Sequence, residues 1–564
     1  MNTNTQKRKL NLSEEFIQKF LLVFMIAVLA TFILLPLVSL FSKAFTDISG
    51  QFIGLENFIK YFKNPALAVS MKNSLFISIV SSSIAVLLGF IFAYAVNRTN
   101  IKFKNFFKGI AIVPLFAPSM LYGIALVYLF GNKGIFTALG LNINLYGPVG
   151  IIICEIIFTF PQVFLLISVA LSMTDYRLYE AAESLGTSEI KKFFTITVPG
   201  IKYALISAFF VAFIMAFTDF GAPKLLGGNY NVLATDIYKQ VIGQFNMSMG
   251  AVVAMVMLVP VLIAFTIDKI ASKKQGVTIT SKSTAYKIKP NKLRDAVMFI
   301  LCGTIALVIL GIIATAVLGS LVKLWPYDLS LGLGHYKFEG MSGVGWSTYV
   351  NSVKISALTA IFGTVVAFFG AYLIEKINKF KILRQVAYFV SMIPLALPGL
   401  VIGLSYILFF NSKSNPLNFI YGTTAIIVIS NIVHFYSVSF LTGTTALRML
   451  DKEYEVVAKS MKIPFFKLFI NVTIPMSLGA IFEIAVYLFV NSMVTVSAMI
   501  FLYVPKTQTA AVSILKLNES GTIGPAAAMA VLILLTNLAV RVTYEVVNKM
   551  VRKKSEKVNE AKAA

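Results

Sequence analysis

Only two cysteines, Cys154 and Cys302, and two histidines, His335 and His434, occur in 564 residues. Each cysteine sits inside an apolar run, so neither a disulfide framework nor a cysteine- or histidine-based metal cluster is expected. Charge is scarce too. Asp, Glu, Lys and Arg together make up 13% of the chain, about half the share of a soluble domain. No phosphate-binding G-x-x-x-x-G-K-[ST] loop occurs, and no nucleophile triad is visible. These absences exclude ATP hydrolysis and covalent catalysis by this chain and leave a non-enzyme without a cofactor or metal of its own.

What is abundant is apolar sequence, 58% of the residues. A helix needs about 20 mostly apolar residues to cross a bilayer core. Twelve such segments occur, six between residues 17 and 267 and six between 297 and 547. The first is too long for a signal peptide and lacks a small-residue cleavage site. The net charge of +25 is distributed asymmetrically. If the N-terminus is cytoplasmic, the inner segments hold 33 of the 49 Lys and Arg residues and the outer loops hold 11. That bias places both termini inside. The basic charge then serves orientation and contact with the lipid bilayer rather than nucleic acid.

The chain repeats itself. Asn73-Ser74 recurs as Asn351-Ser352 and Ala93-Tyr94 as Ala371-Tyr372, both offset by 278. Pro114-Leu115, Pro118 and Gly123 recur as Pro394-Leu395, Pro398 and Gly403, and Asp175 and Pro199 recur as Asp451 and Pro475. Such a co-linear series predicts an all-α membrane protein of two parallel six-helix repeats, 1–269 and 295–564. A cytoplasmic linker rich in Lys, Ser and Thr, 270–294, joins them. Parallel repeats imply a substrate path at their interface. The four prolines fall inside spans, where each is expected to kink or unwind a turn. Whether those breaks border the path or are structural kinks stays open.

The loop after the fourth span, about 175–199, reads Asp175-Tyr-Arg-Leu-Tyr-Glu180-Ala181-Ala182-Glu-Ser-Leu-Gly186 and runs on to Pro199. It resembles the EAA loop of ABC importer permeases: Glu-Ala-Ala, a Gly four residues after the second Ala, and a Pro just before the next span. The alanines suit a helix that another protein approaches closely, and Gly186 suits a left-handed turn between two short helices. A degenerate copy spans about 451–475, containing Glu455-Val-Val-Ala458, with Ala458, Ser460 and Pro475 in register. There Val456 replaces the motif Glu and Lys462 replaces the Gly, while Pro464 biases Ile463 away from helix. The resemblance implies the type I permease fold and a multi-pass protein of the bacterial inner membrane. It also implies two partners, an ATP-binding cassette ATPase dimer that consumes the ATP and an extracytoplasmic solute-binding protein. Within the family, Phe217-Thr-Asp-Phe-Gly-Ala-Pro223, Leu225-Leu-Gly-Gly and Asn231–Tyr238 resemble the ferric-iron and 2-aminoethylphosphonate importers.

Polar residues inside spans are costly and so are candidate path or gate groups. Glu155 lies in the fourth span with Asn431 at its repeat position, and Asp219 lies near the outer end of the fifth. Each has a plainer reading: Glu155 and Asn431 as bonds to a neighbouring helix, Asp219 as a helix cap, and His434 as a packed histidine. A secondary transporter of two six-span halves is the competing class. It leaves the EAA loop unexplained, and its Asp-Arg loop is absent from Asn97–Lys102.

Overall fold

The computed structural model describes residues 2–563 apart from positions 48, 142, 276–283, 285, 340–342, 378, 452 and 462. Positions 276–283 and 285 of the linker therefore lie outside the described residues, as does Lys462 of the second loop. Among the described residues, nine helices are long and apolar enough to cross a membrane. Three bent pairs bring the number to twelve if each pair is one span. Among the described residues two short strands pair as an antiparallel hairpin, Val322–Leu324 with Asp328–Leu331.

The repeated prolines break the third and ninth spans at matching places. The helix Lys104–Ile112 tightens into a 3₁₀ turn at Val113–Phe116, and a new helix starts at Ser119. In the second repeat a 3₁₀ turn at Ile393–Ala396 precedes the helix Gly399–Phe410, with a bend of 111°. Ala117 and Leu397 are extended because each precedes a proline, whose ring excludes the helical region for its predecessor. A carbonyl freed in this way needs a donor in a lipid environment. The Tyr122 hydroxyl donates to Pro114 O at 2.6 Å.

The compact units cut the chain differently from the sequence repeats. One comprises 1–42, 347–510 and 535–564; the other comprises 43–346 and 511–534. In the first, the opening helix packs on second-repeat helices. Leu22 is buried against Leu373 and Ile377, and Tyr406 donates to Phe32 O at 2.8 Å. In the second, the helix Lys292–Leu321 packs on first-repeat helices. Cys302, Ala306 and Ile309 join a core with Phe92, Phe107 and Phe164, and Tyr128 donates to Gly319 O at 3.2 Å. The opening helix of each repeat thus completes the unit built mainly from the other repeat.

Repeated polar pairs do equivalent work inside each unit. Asn73 donates to Asn231 O at 2.9 Å, and Ser74 accepts from Leu233 N, the first residue of the helix Leu233–Tyr238, at 2.9 Å. Asn351 donates to Lys506 O at 2.9 Å, and Ser352 accepts from Ala510 N, which opens the helix Ala510–Glu519, at 2.8 Å. Both pairs satisfy backbone groups at a helix start that would otherwise lack partners.

The candidate coupling loops and the buried polar groups

The first loop folds as the helix Arg177–Ser184, a turn, and the short helix Glu189–Lys192. Asp175 opens it by accepting from the Arg177 backbone N–H at 3.1 Å. Side-chain bonds from Arg177 hold the Asp175 carboxyl well below the usual carboxylate range, so it stays ionised throughout the working pH. Gly186 ends the helix at φ +67°. Its N–H donates to Glu183 O at 2.8 Å, and Thr187 N–H donates to Ala182 O at 3.0 Å. This double closure is the Schellman arrangement, and it requires a left-handed residue at the glycine position. Glu180 and Ala181 are exposed on the helix, while Ala182 is half-buried. Leu178, Leu185 and Ile190 are also exposed, Leu185 at 84%.

The second loop is built alike. Asp451 accepts from Glu453 N–H at 3.0 Å at the start of the helix Glu453–Ser460. Ile463 N–H donates to Ala458 O at 2.8 Å, so the six-residue closure is present although the motif glycine is not. Lys462 itself lies outside the described residues. Val456, Val457 and Met461 are exposed, whereas Ala458 is buried. Glu455 pairs with Lys376 at 2.5 Å. Pro199 and Pro475 occupy equivalent places, each the second residue after a widened π turn, Phe193–Thr197 and Phe469–Thr473. Proline has no N–H to donate four residues back, which accounts for the irregular turn before it. The chain then bends by 60° and 76° into the next helices.

The buried polar candidates divide between the compact units. Glu155 is fully buried, and its carboxyl lies within interaction distance of the Asp219 carboxyl. Asp219 accepts from Ser119 Oγ at 3.0 and 3.1 Å and from Ala222 N–H at 2.8 Å, so it caps the helix Gly221–Leu226. Asn431 is in the other unit and donates to Ser492 Oγ at 2.8 Å. Glu155 and Asp219 are brought together. Asn431 joins a neighbouring helix of its own unit instead.

Sequence reading missed the groups that anchor the coupling helices. Arg98 ends the second span, and its guanidinium lies over the rings of Tyr286 and Tyr179, 3.7 and 5.5 Å from their centroids. The repeat offsets place Arg98 opposite Lys376 and Tyr179 opposite Glu455. A cation at the inner end of both second spans was the available signal.

Residues 85–277 and 360–553 each match the family described as "Binding-protein-dependent transport system inner membrane component". The chain is 27% identical over 534 residues to the ferric transport system permease protein FbpB of Actinobacillus pleuropneumoniae, covering 91% of this chain and 76% of that protein. It is 28% identical over 521 residues to the putative ferric transport system permease protein FbpB 1 of Haemophilus influenzae, covering 89% and 80%. A solved bacterial ABC transporter involved in alginate import is 17% identical and has a TM-score of 0.41, covering 47% of this chain and 97% of that one.

Proposed function

Because the chain belongs to the family of binding-protein-dependent transport system inner membrane components, with two copies of its domain fused in one polypeptide, we propose that it is the permease of an ATP-driven importer of ferric iron. The observation that carries this reading is the matched pair of coupling loops. Each is a short capped helix with exposed apolar side chains, held between two spans. Leu178, Leu185 and Ile190 on the first, and Val456, Val457 and Met461 on the second, suit the groove of a soluble ATPase subunit. ATP binding there favours one arrangement of the loops through differential contacts, and the spans attached to them follow. The ferric cargo rests on the relatives that carry that name.

The test is reconstitution in liposomes with the cognate ATPase subunit and binding protein. ATP hydrolysis rises when the binding protein is loaded with ferric ion. Stimulation by 2-aminoethylphosphonate alone assigns the other cargo, and ATP-independent uptake by the permease alone overturns the importer reading.

Topology has its own test. The two native cysteines are buried, so an introduced cysteine is the reactive one. Lys287→Cys in the linker resists an impermeant maleimide in intact cells and reacts once the membrane is opened, whereas Lys413→Cys reacts from outside. Reaction of Lys287→Cys in intact cells reverses the orientation.

A further inference from the structure

The linker between the repeats does more than connect them. Its described residues run along the first coupling helix and are bonded to it at successive points. Tyr176 N–H donates to Thr284 O at 3.1 Å, and Thr284 N–H donates to Asp175 Oδ1 at 3.2 Å. The half-buried Tyr286 ring meets Tyr176 and Tyr179 edge-on, at centroid distances of 5.4 and 5.0 Å. Lys289 then forms an ion pair with Glu183, one turn before Gly186. Beneath these contacts lies Arg98, 2% exposed. Its Nη2 donates to Leu171 O at 2.8 Å and to Thr174 Oγ1, at the end of the fourth span. Its Nε and Nη1 have no hydrogen-bond partner among the described residues. The face of the Tyr286 ring is what the buried cation meets instead, an arrangement that is worth more when water is excluded.

We propose that Thr284, Tyr286 and Lys289 form a clasp that fixes the first coupling helix to the inner ends of the second and fourth spans, with Tyr286 and Arg98 as positioning residues. The clasp passes the displacement of that helix to the second span. The second repeat does the same with an ion pair: Lys376, at the position of Arg98, reaches Glu455, at the position of Tyr179, with both side chains largely shielded. The first coupling helix therefore relies on a segment outside its own loop, and the linker sequence is part of the coupling apparatus.

This inference rests on the importer reading for its functional half only, and the experiment separates the two. Tyr286→Ala, Tyr286→Phe and replacement of 284–289 by a Gly-Ser segment of equal length are compared in the full chain. The first measurement is amide hydrogen exchange of residues 177–186 in the permease without partners. Exchange rises about tenfold for Tyr286→Ala and for the Gly-Ser linker, and stays within about twofold for Tyr286→Phe, which keeps the ring. The second is ⁵⁵Fe(III) taken up per ATP hydrolysed in the liposome complex, with ATPase content matched. That ratio falls about fivefold for Tyr286→Ala and the Gly-Ser linker and is restored by Tyr286→Phe. Unchanged exchange in both disrupted variants overturns the clasp. Altered exchange with an unchanged ratio overturns its role in coupling. If the unaltered chain recruits no ATPase, the importer reading fails and the exchange measurement still decides the clasp.

Discussion

Gly186→Pro reduces transport at least about a hundredfold while leaving the membrane-spanning body assembled. Gly186 has φ +67° and donates its N–H to Glu183. Proline is locked near φ −65° and has no N–H, so the turn cannot close and the two short helices of the loop lose their fixed angle. Gly186→Ala separates backbone strain from crowding. An added Cβ at Gly186 meets nothing within 4 Å, so alanine suffers only the left-handed penalty of about 1–2 kcal/mol, and transport falls severalfold. The second loop has no glycine at the matching place, so Lys462→Pro causes a smaller loss. Transport and ATPase rates in complexes of verified stoichiometry check the series. Equal losses at both positions remove the asymmetry between loops, and full activity in Gly186→Pro removes the turn from the mechanism.

Gly89→Leu prevents the chain from accumulating as a folded protein. Gly89, on the helix Pro65–Arg98, packs tightly against the helix Pro148–Ser172: a Cβ there stands 2.6 Å from Val163 Cγ1 and 3.4 Å from the Phe164 backbone nitrogen. Val163 is β-branched and cannot swing aside, and small residues at such crossings are what lets transmembrane helices pack. Gly89→Ala alone costs about 2 kcal/mol by overpacking. The double variant Gly89→Ala/Val163→Ala recovers most of that loss, because removing the Val163 methyls opens the space the new Cβ needs. Thermal stability in detergent, read by size-exclusion chromatography, gives the order. A Gly89→Ala protein as stable as the parent contradicts the close approach.

The span pattern and the duplication were legible because a bilayer demands long apolar helices and two copies repeat their exceptions. The Asn-Ser pairs and the Asp175/Asp451 pair stood out in sequence, and each proved to satisfy backbone groups at a helix start. The Pro114 and Pro394 breaks were equally readable, since proline acts on its immediate neighbours. What could not be read was pairing at a distance. Nothing local in Arg98 or Tyr286 announces that 188 residues of chain return to stack one on the other. The same holds for Glu155, whose neighbour Asp219 belongs to a different span, while its repeat counterpart Asn431 joined Ser492 instead. Compact units that cross the repeat boundaries are also invisible to a periodicity argument, because apolar faces on opening helices do not name their partners.

The exchanged opening helices set a schedule for synthesis. Leu22 enters the membrane early, but Leu373 and Ile377, against which it is buried, follow about 350 residues later, some 20–70 s at ordinary translation rates. During that interval the first helix must persist in lipid without its protein neighbours. Its composition suits the wait: with a mean hydropathy of 3.0 over an 18-residue stretch and only 28% of that stretch buried, it is at home among acyl chains. The helix Lys292–Leu321 meets the opposite circumstance, for the core that receives it has already been made. The core around Phe92 can therefore close as soon as that helix arrives, whereas the opening helix of the chain waits for neighbours not yet made.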